Sequence, residues 1–182
     1  MTMQGLQVEP VTAHDRGEAA VAVLLESLGF DVDSERLRDT PRRVAATLAE
    51  LVRREPLPPV TVLDAQGYDG PVVLRDIPFR SLCEHHLLPF RGVAHVGYRP
   101  AARIVGLSTL ARVVEYFARD LQMQERMTAD IAAWLERELE PRGVGVRIEA
   151  EHLCMSMRGV GAPQTGASTC VFRGEFAPED LA

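Results

Sequence analysis

Residues 143–154, GVGVRIEAEHLC, alternate between two kinds of side chain with period two. That is the pattern of a β-strand with one face on a core. Such a strand cannot stand alone. Its backbone donors and acceptors need neighbouring strands, and its apolar face needs a covering layer. Four more segments read as strands: VTVLD (60–64), VVLRDIPF (72–79), GVAHVGYRP (92–100) and TCVFRGEF (169–176). Two helices supply the layer. One runs from Ser108, its expected cap, to about Arg119. The other carries Met127, Ile131, Trp134, Leu135 and Leu139 at helical spacing and ends near Pro141-Arg142-Gly143. Hairpin-length connections, with two helices grouped between strands, predict an α+β fold: an antiparallel sheet with helices on one face.

The first 58 residues read differently. Residues 1–13 are expected to be a loose tail with His14 solvated beside it. Asp15 is expected to cap a helix with Ala19, Val23, Leu24 and Leu28 on its apolar face, ended by Gly29. Thr40-Pro41 starts a second helix, with Val44, Leu48, Leu51 and Val52 on one side and Arg42 and Arg43 in its first turn. Pro56, Pro58 and Pro59 are expected to stop it. The division is therefore 1–58, a tail and helical subdomain, and 59–182, the sheet domain.

Charge and length narrow the function. A net charge of −6 over 182 residues argues against nucleic acid or a membrane surface as partner. There is no apolar run of about 18 residues and no secretory leader pattern, so a cytoplasmic protein is expected. Three irregularly spaced cysteines do not make a disulfide framework.

In a reducing compartment, cysteine beside histidine points to metal or catalysis. The stretch SLCEHHLLPF (81–90) holds Cys83, Glu84, His85 and His86. Side chains at i and i+3 of a helical turn converge, so Cys83 and His86 reach one ion while His85 stays free. On the alternating strand, Val144, Val146, Ile148, Ala150, His152 and Cys154 share a face, which brings Cys154 to the same place. Two cysteines and a histidine suit Zn²⁺ rather than the oxygen-seeking Mg²⁺ or Ca²⁺. Three protein ligands leave a fourth position for water, whose pKa zinc lowers towards about 7. His85 and His152 would then flank it as proton-transfer groups, with Glu84 orienting its neighbours. The competing reading is a closed structural zinc, with His85, His152, His95 or Cys170 as fourth ligand. Taken singly, His95 reads as a partly buried strand histidine and Cys170 as a small core residue.

Several motifs together resemble one family. They are Asp39-Thr40-Pro41-Arg42-Arg43, Cys83-Glu84-His85-His86, Val105-Gly106-Leu107-Ser108, Gln124-Glu125-Arg126 and the run Glu151-His152-Leu153-Cys154-Met155-Ser156-Met157-Arg158-Gly159. In order and approximate spacing they are similar to GTP cyclohydrolase I. The resemblance implies a tunnelling fold: a four-stranded antiparallel sheet, two helices on one face and an N-terminal helical part. Its sheets join into a barrel within a toroidal homodecamer whose active sites lie between subunits. It implies hydrolysis of GTP at C8, release of formate and rearrangement to 7,8-dihydroneopterin triphosphate, with Zn²⁺ and no redox cofactor. Carried onto this chain, it makes Cys83, His86 and Cys154 the metal ligands and His85 and His152 the proton-transfer pair. Glu125 would hold the guanine edge with Gln124 beside it. Leu107 and Ser108 would contact the nucleotide, and Arg43, Arg112 and Arg158 the triphosphate, with Arg43 coming from a neighbouring subunit.

The resemblance breaks at Thr109, where the family usually has a triphosphate-contacting lysine, and at Asp120-Leu121, where Arg-Pro is usual. The same residues would therefore also serve a paralogue that hydrolyses a purine nucleotide at C8 without completing the pterin, or a non-catalytic member with structural zinc.

Overall fold

The computed structural model describes residues 12–57, 59–163 and 165–181. The chain divides into two compact units, Met1–Leu51 and Val52–Ala182. Residues 1–11 of the expected tail, the side chain of His14, and Pro58 lie outside the described residues.

The first unit holds α1 (Ala13–Ser27) and α2 (Thr40–Leu51). Thr12, not Asp15, caps α1. Asp15 is the third residue of a capping box: it donates its N–H to the Thr12 hydroxyl at 3.2 Å, and its carboxylate accepts from the Thr12 N–H at 2.9 Å. The helix packs through Gly17, Val21 and Leu25, whereas the expected face, Ala19, Val23, Leu24 and Leu28, is exposed. Gly17 lies against α2: a Cβ there would sit 3.4 Å from the Cβ of Ala45, in van der Waals contact. Helix α2 ends at Leu51, before the prolines expected to stop it.

The second unit is built on β1 (Val62–Asp64), β2 (Val72–Cys83), β3 (Pro89–Arg99), β4 (Arg103–Val105), β5 (Leu121–Gln122), β6 (Gly143–His152) and β7 (Gly166–Gly174). Its helices are α3 (Leu107–Ala118), α4 (Gln124–Leu139) and the single turn α5 (Leu153–Ser156), followed by a 3-10 turn, Pro178–Leu181. The main sheet has the order β5-β2-β3-β6-β7. β2, β3, β6 and β7 pair antiparallel, and the two-residue β5 adds a parallel edge. β1 leaves this sheet and pairs with β4. The short β4 and β5 carry too few residues to show a period.

Register sets the core face. Phe90, Ala94, Val96 and Tyr98 of β3 lie opposite His152, Ile148, Val146 and Val144 of β6. A bulge between Leu74 and Ile77, with Asp76 at φ 54°, shifts the phase of β2. Ile77, Phe79, Ser81 and Cys83 are then buried on the same side. Leu110, Val113 and Val114 of α3, and Met127, Ile131, Trp134, Leu135 and Leu139 of α4, cover that face. Truncating the fully buried Leu135 or Phe90 to alanine would cost about 3–5 kcal/mol.

Three local expectations are corrected. Gly106, not Ser108, is the N-cap of α3, and it lends no side-chain bond. β6 stops at His152, so Cys154 sits on the helical turn α5, not on the strand. The next partner on β3 would be Pro89, which has no N–H to extend the ladder. Cys170 is exposed on β7, not a core residue.

Candidate metal centre and its flanking histidines

Cys83 closes β2, and the chain then turns through Glu84, His85 and His86. The Cys83 carbonyl accepts from the N–H groups of His86 at 3.3 Å and Leu87 at 2.9 Å. Leu87 takes a left-handed φ of 54°, and the Cys83 N–H reaches the Leu88 carbonyl at 2.9 Å. This one helical turn at a strand end swings the imidazole of His86 back over Cys83, with Nδ1 3.8 Å from Sγ. From the far end of β6, α5 brings in Cys154. The ligand atoms of Cys83, His86 and Cys154 all lie within 4.8 Å of one another. Among the described residues the group has these three members, and neither His95 nor Cys170 joins it. His95 is engaged elsewhere: its Nδ1 accepts from the Asp76 N–H at 3.4 Å, and its Nε2 lies 3.5 Å from Glu149.

The donor set fits a borderline-soft divalent cation. Burial pushes the Cys154 thiol up, the adjacent Cys83 pushes it further, and Arg158 pulls it partly back. Two thiols this close oppose each other as anions, and a cation between them removes the conflict. His86 is exposed while Cys83 is buried, so the group sits at the rim of the core.

The two other candidate histidines neighbour the group in the chain: His85 lies in the turn between Cys83 and His86, and His152 is the N-cap of α5, two residues before Cys154. His85 has Nδ1 3.9 Å from Cys83 Sγ and Nε2 3.7 Å from a Glu84 oxygen. The second Glu84 oxygen accepts from Arg126 at 2.6 Å, and Arg126 also donates to the Leu121 carbonyl and to Gln122. His152 stacks flat on the buried Phe90, with centroids 4.6 Å apart and planes at 4°. Its Nε2 lies 2.8 Å from Gln124 Oε1. Desolvation lowers the pKa of His152, and the nearby Glu125 carboxylate raises it.

With this geometry in place, comparison with known proteins is decisive. A profile of GTP cyclohydrolase I matches residues 17–181. The chain belongs to the GTP cyclohydrolase I family. It is 51% identical over 157 residues to GTP cyclohydrolase 1 of Aquifex aeolicus, covering 86% of this chain and 85% of that one. The Mycolicibacterium vanbaalenii GTP cyclohydrolase 1 is 51% identical over 166 residues, covering 88% of this chain and 82% of its own length. That of Streptococcus thermophilus is 47% identical over 166 residues, covering 89% of both.

The other residues expected in a GTP cyclohydrolase I site fall in several places. Glu125 is exposed in the first turn of α4, close enough for its charge to act on His152. Arg158 follows α5 and acts electrostatically on Cys154. Leu107 and Ser108 are exposed at the start of α3. Arg112, a turn later, lines an open pocket of about 260 Å³ with Glu55, Leu57 and Tyr116. Arg43 is in the first compact unit, ion-paired with Asp39 at 3.2 Å. Gln124, next to Glu125 in the first turn of α4, is buried against His152. Sequence reasoning missed Phe90 and the grip of Arg126 on Glu84. Only their membership of the SLCEHHLLPF and Gln-Glu-Arg stretches pointed to them.

Proposed function

We propose that this chain hydrolyses GTP at C8, releases formate and forms 7,8-dihydroneopterin triphosphate, using one Zn²⁺ per site. The observation that carries the reading is a three-member Cys-His-Cys group with two further histidines beside it but outside it. A structural zinc site has no need of such a pair. Cys83, His86 and Cys154 would hold the ion, which when bound supplies a Lewis acid that makes water acidic at neutral pH.

The chain's own groups do the rest. His85, half open to solvent and braced by Glu84, would deliver the proton to the imidazole nitrogen that leaves C8. His152 would move a proton near the ribose. Glu125 would accept from the guanine N1–H and exocyclic amine. Arg112 and Arg158, with Arg43 from a neighbouring subunit, would neutralise the triphosphate on a chain of net charge −6, and Leu107 and Ser108 would close over the nucleotide.

The assembly that goes with this reading is a tunnelling fold closed into a toroidal homodecamer. β7 is an edge of the sheet, and Val23 and Leu24 of α1 and its C-cap Leu28 are exposed. Edges and apolar faces of this kind are covered when copies of a chain associate. A second reading rests on Thr109: without the usual lysine, a related purine nucleotide could be the substrate, with the reaction stopping at the opened ring.

The test is a formate assay on zinc-loaded protein with GTP, with metal content measured alongside. Formate released at one zinc per chain supports the proposal. Assembled, zinc-loaded protein that releases none overturns it.

A further inference from the structure

Gln124 is 2% exposed, and its side chain is saturated. Its Nε2 donates to the Ile148 carbonyl at 3.0 Å and lies 3.2 Å from the Ala167 carbonyl and 3.1 Å from the Thr169 hydroxyl. The Thr128 hydroxyl donates to the Gln124 backbone carbonyl at 2.7 Å and meets the Thr169 hydroxyl at 2.7 Å.

The direction of every bond in this cluster is forced. A carbonyl only accepts, so the Thr128 proton goes to the Gln124 carbonyl, and Thr169 must donate to Thr128. Thr169 then offers only a lone pair to Gln124. With backbone carbonyls at Ile148 and Ala167 as well, the amide must turn its NH₂ inward. Reversing it would set Oε1 against two carbonyl oxygens and a hydroxyl already committed as donor, acceptor against acceptor in a buried site. Oε1 therefore faces His152, and the only group that can meet it there is an Nε2–H. Phe90, stacked on the ring, fixes the plane in which that bond is made.

We propose that Gln124 is a positioning residue that holds His152 in the tautomer protonated on Nε2, leaving Nδ1 as the basic nitrogen. Its role in turnover rests on the function proposed above, in which His152 moves a proton. The tautomer does not rest on it. Proton exchange with substrate then takes place at Nδ1, and Gln124 makes no contact with the nucleotide.

The proposal is tested first on the unmodified protein by solid-state ¹⁵N NMR of imidazole-labelled histidine in mildly alkaline buffer. The His152 signals are assigned by their loss in His152→Asn. A proton on Nε2 with a bare Nδ1 is expected, and a proton on Nδ1 overturns the proposal. The second test is Gln124→Met, which keeps the side chain's length but cannot accept from His152. A fall in kcat on the order of a hundredfold, with KM unchanged, is expected, within what a positioned acid–base group contributes. A raised KM with kcat intact would make Gln124 a substrate contact and overturn the proposal. The spectrum is read without substrate, so absent formate release would defeat the proposed function and leave the tautomer assignment standing.

Discussion

Arg126 donates to Glu84 at 2.6 Å, and the other oxygen of that carboxylate lies 3.7 Å from His85 Nε2. Helix α4 thereby reaches across to the turn that carries the metal group. The pair is partly exposed, with side chains 42% and 28% accessible, so its contribution to stability is small, about 0–1 kcal/mol. On the proposed function, its role is to keep the Glu84 carboxylate near His85. Glu84→Gln should therefore shift the denaturation midpoint little, retain zinc and lower kcat about tenfold or more. An unchanged kcat would show that His85 needs no such brace.

Zinc content separates ligands from proton carriers. Cys83→Ser, His86→Ala and Cys154→Ser should each lose the metal on desalting, since each removes one of three protein ligands. His85→Ala and His152→Ala should keep one zinc per chain and lose turnover. Loss of zinc in His85→Ala would reverse the assignment of the adjacent histidines.

Much of this centre was legible in the sequence because it follows the core's own period. The alternation that buries Ile148 and Ala150 also delivers His152 to the helix side of the sheet, and the i, i+3 turn delivers His86 to Cys83. The placement of Cys154 was reached by extending that alternation two residues too far, yet the turn of α5 returns it to the same spot. The motif puts Gln124 beside Glu125 at the guanine edge, but its buried place against His152 leaves no signal in the sequence. Its acceptors are mostly backbone carbonyls on β6 and β7, and backbone atoms leave no mark in a sequence. The packed face of α1 was misread because apolar residues stand on both sides of the helix: Val21 and Leu25 are half-buried, while Val23 and Leu24 are exposed. The bulge at Asp76 sets the phase that points Cys83 inward, and its one mark in the sequence is Pro78, just beyond it in the strand.

Far from the metal group, Arg99 grips Asp180 with two hydrogen bonds, at 3.1 and 2.6 Å. The hydrogen bond from Arg99, with a second from the Ala177 N–H, holds the Asp180 carboxyl below its ordinary 3.8. A depressed folded pKa gives stability that is present above the unfolded value and lost as pH falls through the folded one. Acid unfolding should thus draw on this pair below about pH 4. Asp180→Asn should lower the melting temperature at pH 7 and change it much less at pH 3. Equal losses at both would mean that the carboxylate charge is irrelevant.

The end of the chain is seated by glycines. A Cβ added at Gly145 would overlap the ring of Phe176, and one at Gly97 would come within 2.7 Å of it. Phe176 is 3% exposed in that slot. Gly145→Ala should cost about 1–3 kcal/mol through overpacking, read as a lower denaturant midpoint, with zinc content unchanged because the metal group lies at the opposite end of β6. Unchanged stability would show that the Phe176 segment moves aside freely.

Thr109 tests phosphate recognition. It is the third residue of α3, and its N–H donates to the Gly106 carbonyl at 2.8 Å. Thr109→Lys should lower KM for GTP with little change in kcat, because an added ammonium would bind phosphate equally in ground and transition states. The gain should shrink at high salt. An unchanged KM would mean that the arginines suffice.

The central claim is that this centre carries GTP through ring opening to the pterin. Mass spectrometry of the product from zinc-loaded wild-type protein, run over a panel of purine nucleotides that includes GTP, tests it most directly. 7,8-Dihydroneopterin triphosphate and formate are expected from GTP. A formamidopyrimidine as the sole product, or turnover confined to another nucleotide, would contradict it.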